Sequence, residues 1–113
     1  MKYKNGVIVG IKKVVDDEIE RVVVSPIIER AITIVDAVSV AMTGKEIVVT
    51  SILDGVHGEK SLHYNGLAFD MRTFIYKSQD EIEKLMAMFK YMLGPNYDVV
   101  IEKDHIHIEY DPK

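Results

Sequence analysis

The segment that most restricts how this chain can fold is its last strand-like run, His105-Ile106-His107-Ile108-Glu109-Tyr110. Polar and apolar residues alternate without a break, so a strand puts His105, His107 and Glu109 on one face and Ile106, Ile108 and Tyr110 on the other. A slip of one residue would bury two imidazoles and expose two isoleucines, so the register is strongly specified. The run from Tyr97 to Glu102 precedes it, separated only by Lys103 and Asp104, and the pair reads as a hairpin with a tight connection.

The rest of the chain supplies elements for this hairpin to pack against. The first 24 residues are rich in Val and Ile around a charged middle, and read as two strands about a polar turn. Ser25 suits an N-cap and Pro26 the first helical position. Ile27, Ala31, Ile34, Val38 and Ala41 then recur at helical spacing up to Gly44. Glu46 to Ser51 is β-branched and strand-like. Asp54 to Asn65 is polar, contains glycines and reads as a loop. Leu67 to Ile75 alternates as a strand, with Asp70 on the face of Ala68 and Arg72, and with Leu67, Phe69 and Met71 opposite. Ser78-Gln79-Asp80-Glu81 is a capping box. After it, Ile82, Leu85, Met86, Phe89 and Leu93 mark one side of a second helix, which Gly94-Pro95 stops. The expected class is α+β: a largely antiparallel sheet with two main helices packed to its side. A chain of 113 residues has room for one core, so a single domain over 1–113 is expected, with 1–24 as N-terminal strands.

Composition excludes several functions. With no cysteine, thiolate metal sites, disulfides and a Cys nucleophile are ruled out. The net charge is −4 and the Lys12-Lys13 pair is followed at once by Asp16, Asp17 and Glu18, so no basic patch invites nucleic acid. The apolar run at Val7-Ile8-Val9 is too short for a signal core or a membrane span. The protein is expected to be cytoplasmic as synthesised, and any action outside the cell would follow lysis or carriage on a virion. The sequence does not set the oligomeric state.

All four histidines lie in two short segments, at His57, His63, His105 and His107. Two histidines and the Asp70 carboxylate would suit zinc with water at an open fourth position. Solvated or core histidines explain the spacing about as well.

The stretch Ser61-Leu62-His63-Tyr64-Asn65-Gly66-Leu67-Ala68-Phe69-Asp70 resembles the Ser-x-His-x-x-Gly-x-Ala-x-Asp signature of the D-Ala-D-Ala carboxypeptidase and L-alanyl-D-glutamate endopeptidase family. His105-Ile106-His107 is similar to that family's closing His-x-His, and Asp54-Gly55-Val56-His57 looks like a stretch of its small phage-encoded members. The signalling domain of Hedgehog proteins shares the signature, and has a histidine where His57 stands. The resemblance covers about Ile47 to Tyr110 and leaves residues 1–24 aside.

It implies a Hedgehog-like fold with one zinc ion held by His63, Asp70 and His107. The implied activity is hydrolysis of peptide bonds in peptidoglycan stem peptides by a metal-activated water, as in a phage endolysin. Glu102 or Asp104 would be the general base, Glu102 the favoured of the two. His57 and His105 would line the site and stabilise the oxyanion, and Ser61 would hydrogen-bond substrate or brace the loop. Apart from the resemblance, Arg72 reads as a structural partner for a carboxylate, with substrate contact as the alternative. One departure bears on specificity. Many carboxypeptidases of the family carry an arginine before the Ser-x-His segment, and this chain has none between Arg30 and Arg72. The alternative function is a non-catalytic zinc domain serving as a binding or virion module. A non-haem iron oxygenase also uses two histidines and a carboxylate, but the seven positions from His63 to Asp70 argue against that spacing.

Overall fold

The structure is a computed structural model that describes residues 2–3, 12–15, 18–21, 26–53 and 67–112. The element order is β1 (Lys2–Tyr3), β2 (Lys12–Val15), β3 (Glu18–Arg21), α1 (Pro26–Thr43), β4 (Val48–Leu53), β5 (Ala68–Arg72), α2 (Gln79–Leu93), β6 (Tyr97–Ile101) and β7 (His105–Tyr110). The class is α+β. A five-stranded sheet has the order β1-β4-β5-β7-β6, and β2 and β3 form a separate antiparallel pair. Neighbours from β4 to β6 are antiparallel, while β1 runs parallel to β4. The parallel β1 edge was not anticipated, because two residues carry no readable period.

Both helices take the expected positions for local reasons. Residues 26–43 form α1, and Gly44 ends it at φ 76°, a left-handed conformation that glycine adopts without strain. Its buried side is Ile28, Ala31, Ile32, Val35, Val38 and Ser39. That corrects the expected face. Ala31 and Val38 belong to it, but Ile34 is half-buried and Ala41 exposed. The apolar side of this helix is broad, spanning Ile27, Ile28, Ala31, Ile32, Ile34 and Val35, so periodicity alone left two neighbouring stripes open, and contact with the sheet and α2 chose between them. The proposed N-cap Ser25 lies outside the described residues.

In α2 the expected face is the observed one: Ile82, Leu85 and Phe89 are buried, with Met86 and Leu93 packed beside them. Ser78 Oγ accepts from the Glu81 N–H at 3.2 Å. The reciprocal half of the box is displaced by one residue, since Glu81 Oε1 accepts from the Lys77 N–H, at 3.4 Å. Gly94 closes the helix at φ 89°, donating its N–H to the Lys90 carbonyl at 3.0 Å.

The core lies between the helices and one face of the sheet. Phe69 and Met71 of β5, Ile106 and Ile108 of β7, and Val49 of β4 are fully buried there with Ile28, Leu85 and Phe89. Residues opposite these in each strand's alternation are thereby placed on the other face. Between β5 and β6, which are parallel through their shared antiparallel neighbour β7, α2 serves as the crossover. This crossover carries β6 past β5 and leaves the slot that β7 fills.

A small polar network ties the end of α1 to the turn after β5. Ser39 Oγ is 2.7 Å from the Tyr76 hydroxyl and donates to the Lys45 carbonyl at 2.6 Å. Burial pushes the Tyr76 hydroxyl above its ordinary pKa, although its bond to Ser39 pulls the other way. Lys45 Nζ completes the link by donating to the Ile75 carbonyl at 2.9 Å. These bonds hold the 74–76 turn in place, and with it the end of β5 that carries Arg72.

Candidate functional site

The site forms where β5 and β7 face each other. Their register pairs Asp70 with His107 and Arg72 with His105. All four residues lie on the face away from the helices, because Phe69, Met71, Ile106 and Ile108 are committed to the core. The separation of 37 positions between Asp70 and His107 closes to 2.7 Å between Asp70 Oδ1 and His107 Nδ1. Both side chains are 22% exposed, so the pair is partly withdrawn from water.

The other nitrogen of His107 points to a third group. Nε2 lies 3.3 Å from Glu109 Oε1, two residues along the same strand face. His107 is thus held between two carboxylates, one on each ring nitrogen. Burial acts to lower its pKa, but the Asp70 and Glu109 acceptors outweigh this and the net shift is upward. The sequence placed Glu109 on the right face; only the fold showed that its carboxylate meets this imidazole.

His105 stands beside the pair. Its Nε2 is 3.8 Å from Asp70 Oδ1 and 4.0 Å from Glu102 Oε1, and its Nδ1 is 2.9 Å from Asp104 Oδ1. Asp104 is exposed, and the hydrogen bond from His105 holds its carboxyl below the usual range. The hairpin turn thereby brings both expected candidates for the base to one imidazole, Asp104 on the near nitrogen and Glu102 on the far one. A bond from the Glu102 N–H to the His105 carbonyl, at 2.8 Å, closes that turn. Arg72 lies opposite His105 at the same end of the face, its guanidinium carbon 4.7 Å from the ring centroid of Phe74. Phe74 is 71% exposed, so Arg72 is stacked on a surface aromatic rather than paired in the interior.

The strand beneath the site is irregular. The β4–β5 register shifts between Val49 and Ser51, so Ser51 comes to stand opposite Asp70. Val49 and Ile52 both pack toward the core although three residues apart, which a regular strand with period two cannot do. Thr50 Oγ1 at the irregularity donates to the Asp70 carbonyl at 3.4 Å. The alternation of β4 carried no sign of this.

His57, Ser61 and His63 lie outside the described residues. Of the three expected metal ligands, the structure therefore brings together Asp70 and His107. Their donor chemistry fits zinc. Tetrahedral bonds of about 2.0–2.1 Å separate two donors by roughly 3.3 Å, a little more than the hydrogen bond between them here. A metal-ligating histidine also commonly gives its second N–H to a carboxylate, as His107 can to Glu109.

A second cluster lies further along the same strands. Among the described residues, Asp98, Glu109 and Asp111 bring one oxygen each within 4.8 Å of one another. An all-carboxylate set of this kind suits hard cations rather than zinc, and such exposed acidic groups are common without an ion. Sequence reasoning passed over Asp98 and Asp111, whose proximity depends on the β6–β7 register pairing Asp98 with Glu109.

The pH behaviour of the metal-free protein follows from His107. Its folded pKa is raised, so its stabilising contribution is complete below the ordinary imidazole value near 6.5 and is lost as pH rises through the folded pKa. Asp70→Asn is expected to bring the His107 pKa down and to flatten the stability decline above that pH. Imidazole proton shifts in a chelator-treated NMR titration would check it; an unmoved His107 pKa in Asp70→Asn would show that the carboxylate is not responsible.

No family model matches this chain, and no curated protein or solved structure matches it. Among the described residues, no helix is long and apolar enough to cross a membrane.

Proposed function

We propose that this protein is a zinc-dependent peptidase acting on peptidoglycan stem peptides, with the Hedgehog-like arrangement that its Ser-x-His-x-x-Gly-x-Ala-x-Asp segment resembles. The observation that carries the reading is the Asp70–His107–Glu109 line on the sheet face away from the helices: carboxylate and imidazole donors 2.7 Å apart, with a second carboxylate 3.3 Å from the far ring nitrogen. Side chains 37 positions apart in sequence converge there, and they are two of the three ligands that the resemblance implies.

Asp70 and His107 would hold the ion together with His63. Zinc would supply a water acidified to near neutral pH and an electrophile for the scissile carbonyl. Glu109 would fix the tautomer of His107 by accepting the Nε2 proton, leaving Nδ1 as the donor. Glu102 would accept a proton at its carboxylate and return it to the leaving amine. His105, between Glu102 and Asp70, would donate from Nε2 to a developing oxyanion. Arg72, stacked on Phe74, would offer its guanidinium to a substrate carboxylate.

The decisive test is incubation of the zinc-loaded protein with purified peptidoglycan, followed by mass spectrometry of the released peptides. The expected result is a set of stem-peptide fragments that disappears with chelator and returns with zinc. Stoichiometric zinc with no released peptide would instead support a non-catalytic zinc module. Stoichiometric iron with oxygen consumption would overturn the peptidase reading in favour of an oxygenase.

A further inference from the structure

The two ends of the candidate site differ in charge. The strand registers pair Arg72 with His105 at the hairpin end, Asp70 with His107 in the middle, and Glu109 with Asp98 at the far end. The far end is acidic, because Asp111 joins Glu109 and Asp98 there, one oxygen of each lying within 4.8 Å of the others. An anion is repelled at that end. The hairpin end holds the guanidinium of Arg72.

The sequence suggests a structural ion pair for Arg72, and the structure shows a different arrangement. Among the described residues, no carboxylate lies within ion-pair distance of its guanidinium, whose contact is the ring of Phe74 at 4.7 Å. Asp70, two residues before it on the same face, is engaged by His107 at 2.7 Å, and Asp104 by His105 Nδ1 at 2.9 Å. A guanidinium stacked on a ring keeps its in-plane N–H groups open to an acceptor. The support is also fixed in place. Phe74 sits on the turn closed by the Tyr76 N–H donating to the Thr73 carbonyl at 3.0 Å, and the Ser39–Tyr76 and Lys45–Ile75 bonds anchor that turn to the end of α1. The Phe74 ring is 71% exposed, so it adds little to the core and serves instead to steady the guanidinium.

The direction in which a substrate lies follows from Glu102. In the peptidase reading, Glu102 hands a proton to the leaving amine. Its carboxylate is 4.0 Å from His105 Nε2, and His105 is the residue paired with Arg72. The leaving fragment therefore lies over the Arg72 end of the face, and the acyl fragment over the Glu109 end.

We propose that Arg72 is the specificity-determining residue of this site, binding a carboxylate carried by the leaving fragment of the peptide. The inference rests on the peptidase reading for that direction, and on the unpaired guanidinium for the ligand chemistry. A carboxylate meets the guanidinium fork with two parallel N–H···O bonds, a geometry that an amide cannot reproduce. Two groups of a stem peptide can supply it: the terminal α-carboxylate, when the leaving fragment is a single residue, or the free α-carboxylate of a glutamate linked through its side chain.

The test compares the zinc-loaded wild type with Arg72→Gln on three synthetic stem peptides. One has both carboxylates free, one has a C-terminal amide, and one has an amide at the glutamate α-carboxyl. The amide that removes the bound carboxylate should raise the wild-type KM about tenfold or more, with kcat changed less, because a charge-assisted bidentate contact is lost. Arg72→Gln should show that raised KM on all three peptides while keeping the zinc content and melting temperature of the wild type. An effect of the terminal amide identifies the terminal carboxylate as the ligand, and an effect of the glutamate amide identifies the internal one. A wild type indifferent to both amides overturns the proposal, as does an Arg72→Gln variant that still tells acid from amide. Cleavage of none of the three peptides would sink the peptidase reading and with it the direction of the substrate. The carboxylate site is then judged by NMR titration with N-acetylalanine and N-acetylalaninamide: the acid should shift the Arg72 side-chain N–H signal saturably and the amide should not, and no response to the acid overturns the site as well.

Discussion

The His107→Ala variant is expected to bind no stoichiometric zinc and to lose the part of its thermal stability that a chelator can remove. In the wild type, an ion held by Asp70 and His107 would bridge β5 and β7. An ion held by folded-state ligands would bind the folded protein and not the unfolded one. At a hundredfold excess over its dissociation constant it adds about 2.7 kcal/mol by mass action. For a domain of this size that is a rise of roughly ten degrees in melting temperature. Removing the imidazole takes one ligand away and also leaves Asp70 and Glu109 without the partner they share at 2.7 Å and 3.3 Å. The metal-free variant should therefore melt somewhat below the metal-free wild type, with the chelator-dependent difference gone. Calorimetry with and without chelator, beside elemental analysis, decides the matter. An unchanged chelator shift in His107→Ala would mean that the ion sits elsewhere, and the Asp98–Glu109–Asp111 cluster would be the next place to look.

Glu102→Gln is expected to keep the fold and the zinc while losing on the order of a hundredfold or more in hydrolysis rate, the usual effect of removing an acid–base group. Two features favour Glu102 over Asp104. Asp104 is engaged by His105 Nδ1 at 2.9 Å, and that bond holds its carboxyl below the ordinary range, which makes it a poor proton acceptor. Glu102 lies on the other side of the same ring, 4.0 Å from Nε2, and that nitrogen is 3.8 Å from Asp70. Its carboxylate therefore lies on the side of His105 that faces Asp70. Asp104→Asn should stay within a few-fold of wild type. Steady-state rates of both variants on the same peptide, with zinc content measured in parallel, test the assignment. A dead Asp104→Asn beside an active Glu102→Gln would exchange the two roles.

Local patterns accounted for much of this fold. The alternation of His105 to Tyr110 and the two-residue Lys103-Asp104 connection specify the β6–β7 hairpin, because period two and a short turn leave one register that buries Ile106 and Ile108. The spacing from Ile82 to Leu93, started by Ser78 and stopped by Gly94, specifies α2 and its buried face. The same alternation put Asp70 on one side of its strand and His105 and His107 on one side of theirs.

Other features have no local signature. In α1, whose apolar side is broader than the face it buries, the choice of Ile28, Ile32 and Val35 over Ile34 and Ala41 was made by the surfaces it packs against. The irregularity at Thr50, which sets Ser51 opposite Asp70, depends on β5 being the neighbouring strand. Sequence adjacency would pair β5 with β6. Instead α2 carries β6 across, and β7 returns between them.

The sequence by itself thus determined which residues share a face of β5 and of β7 and where the second helix and the last hairpin lie, since both follow from periods of two and 3.6 residues within one segment. That Asp70 meets His107, and that Glu109 takes the far nitrogen of that imidazole, was decided by tertiary structure. The β5–β7 register is set by Phe69 and Met71 packing with Ile106 and Ile108 beneath the helices, a contact between segments that no local period encodes.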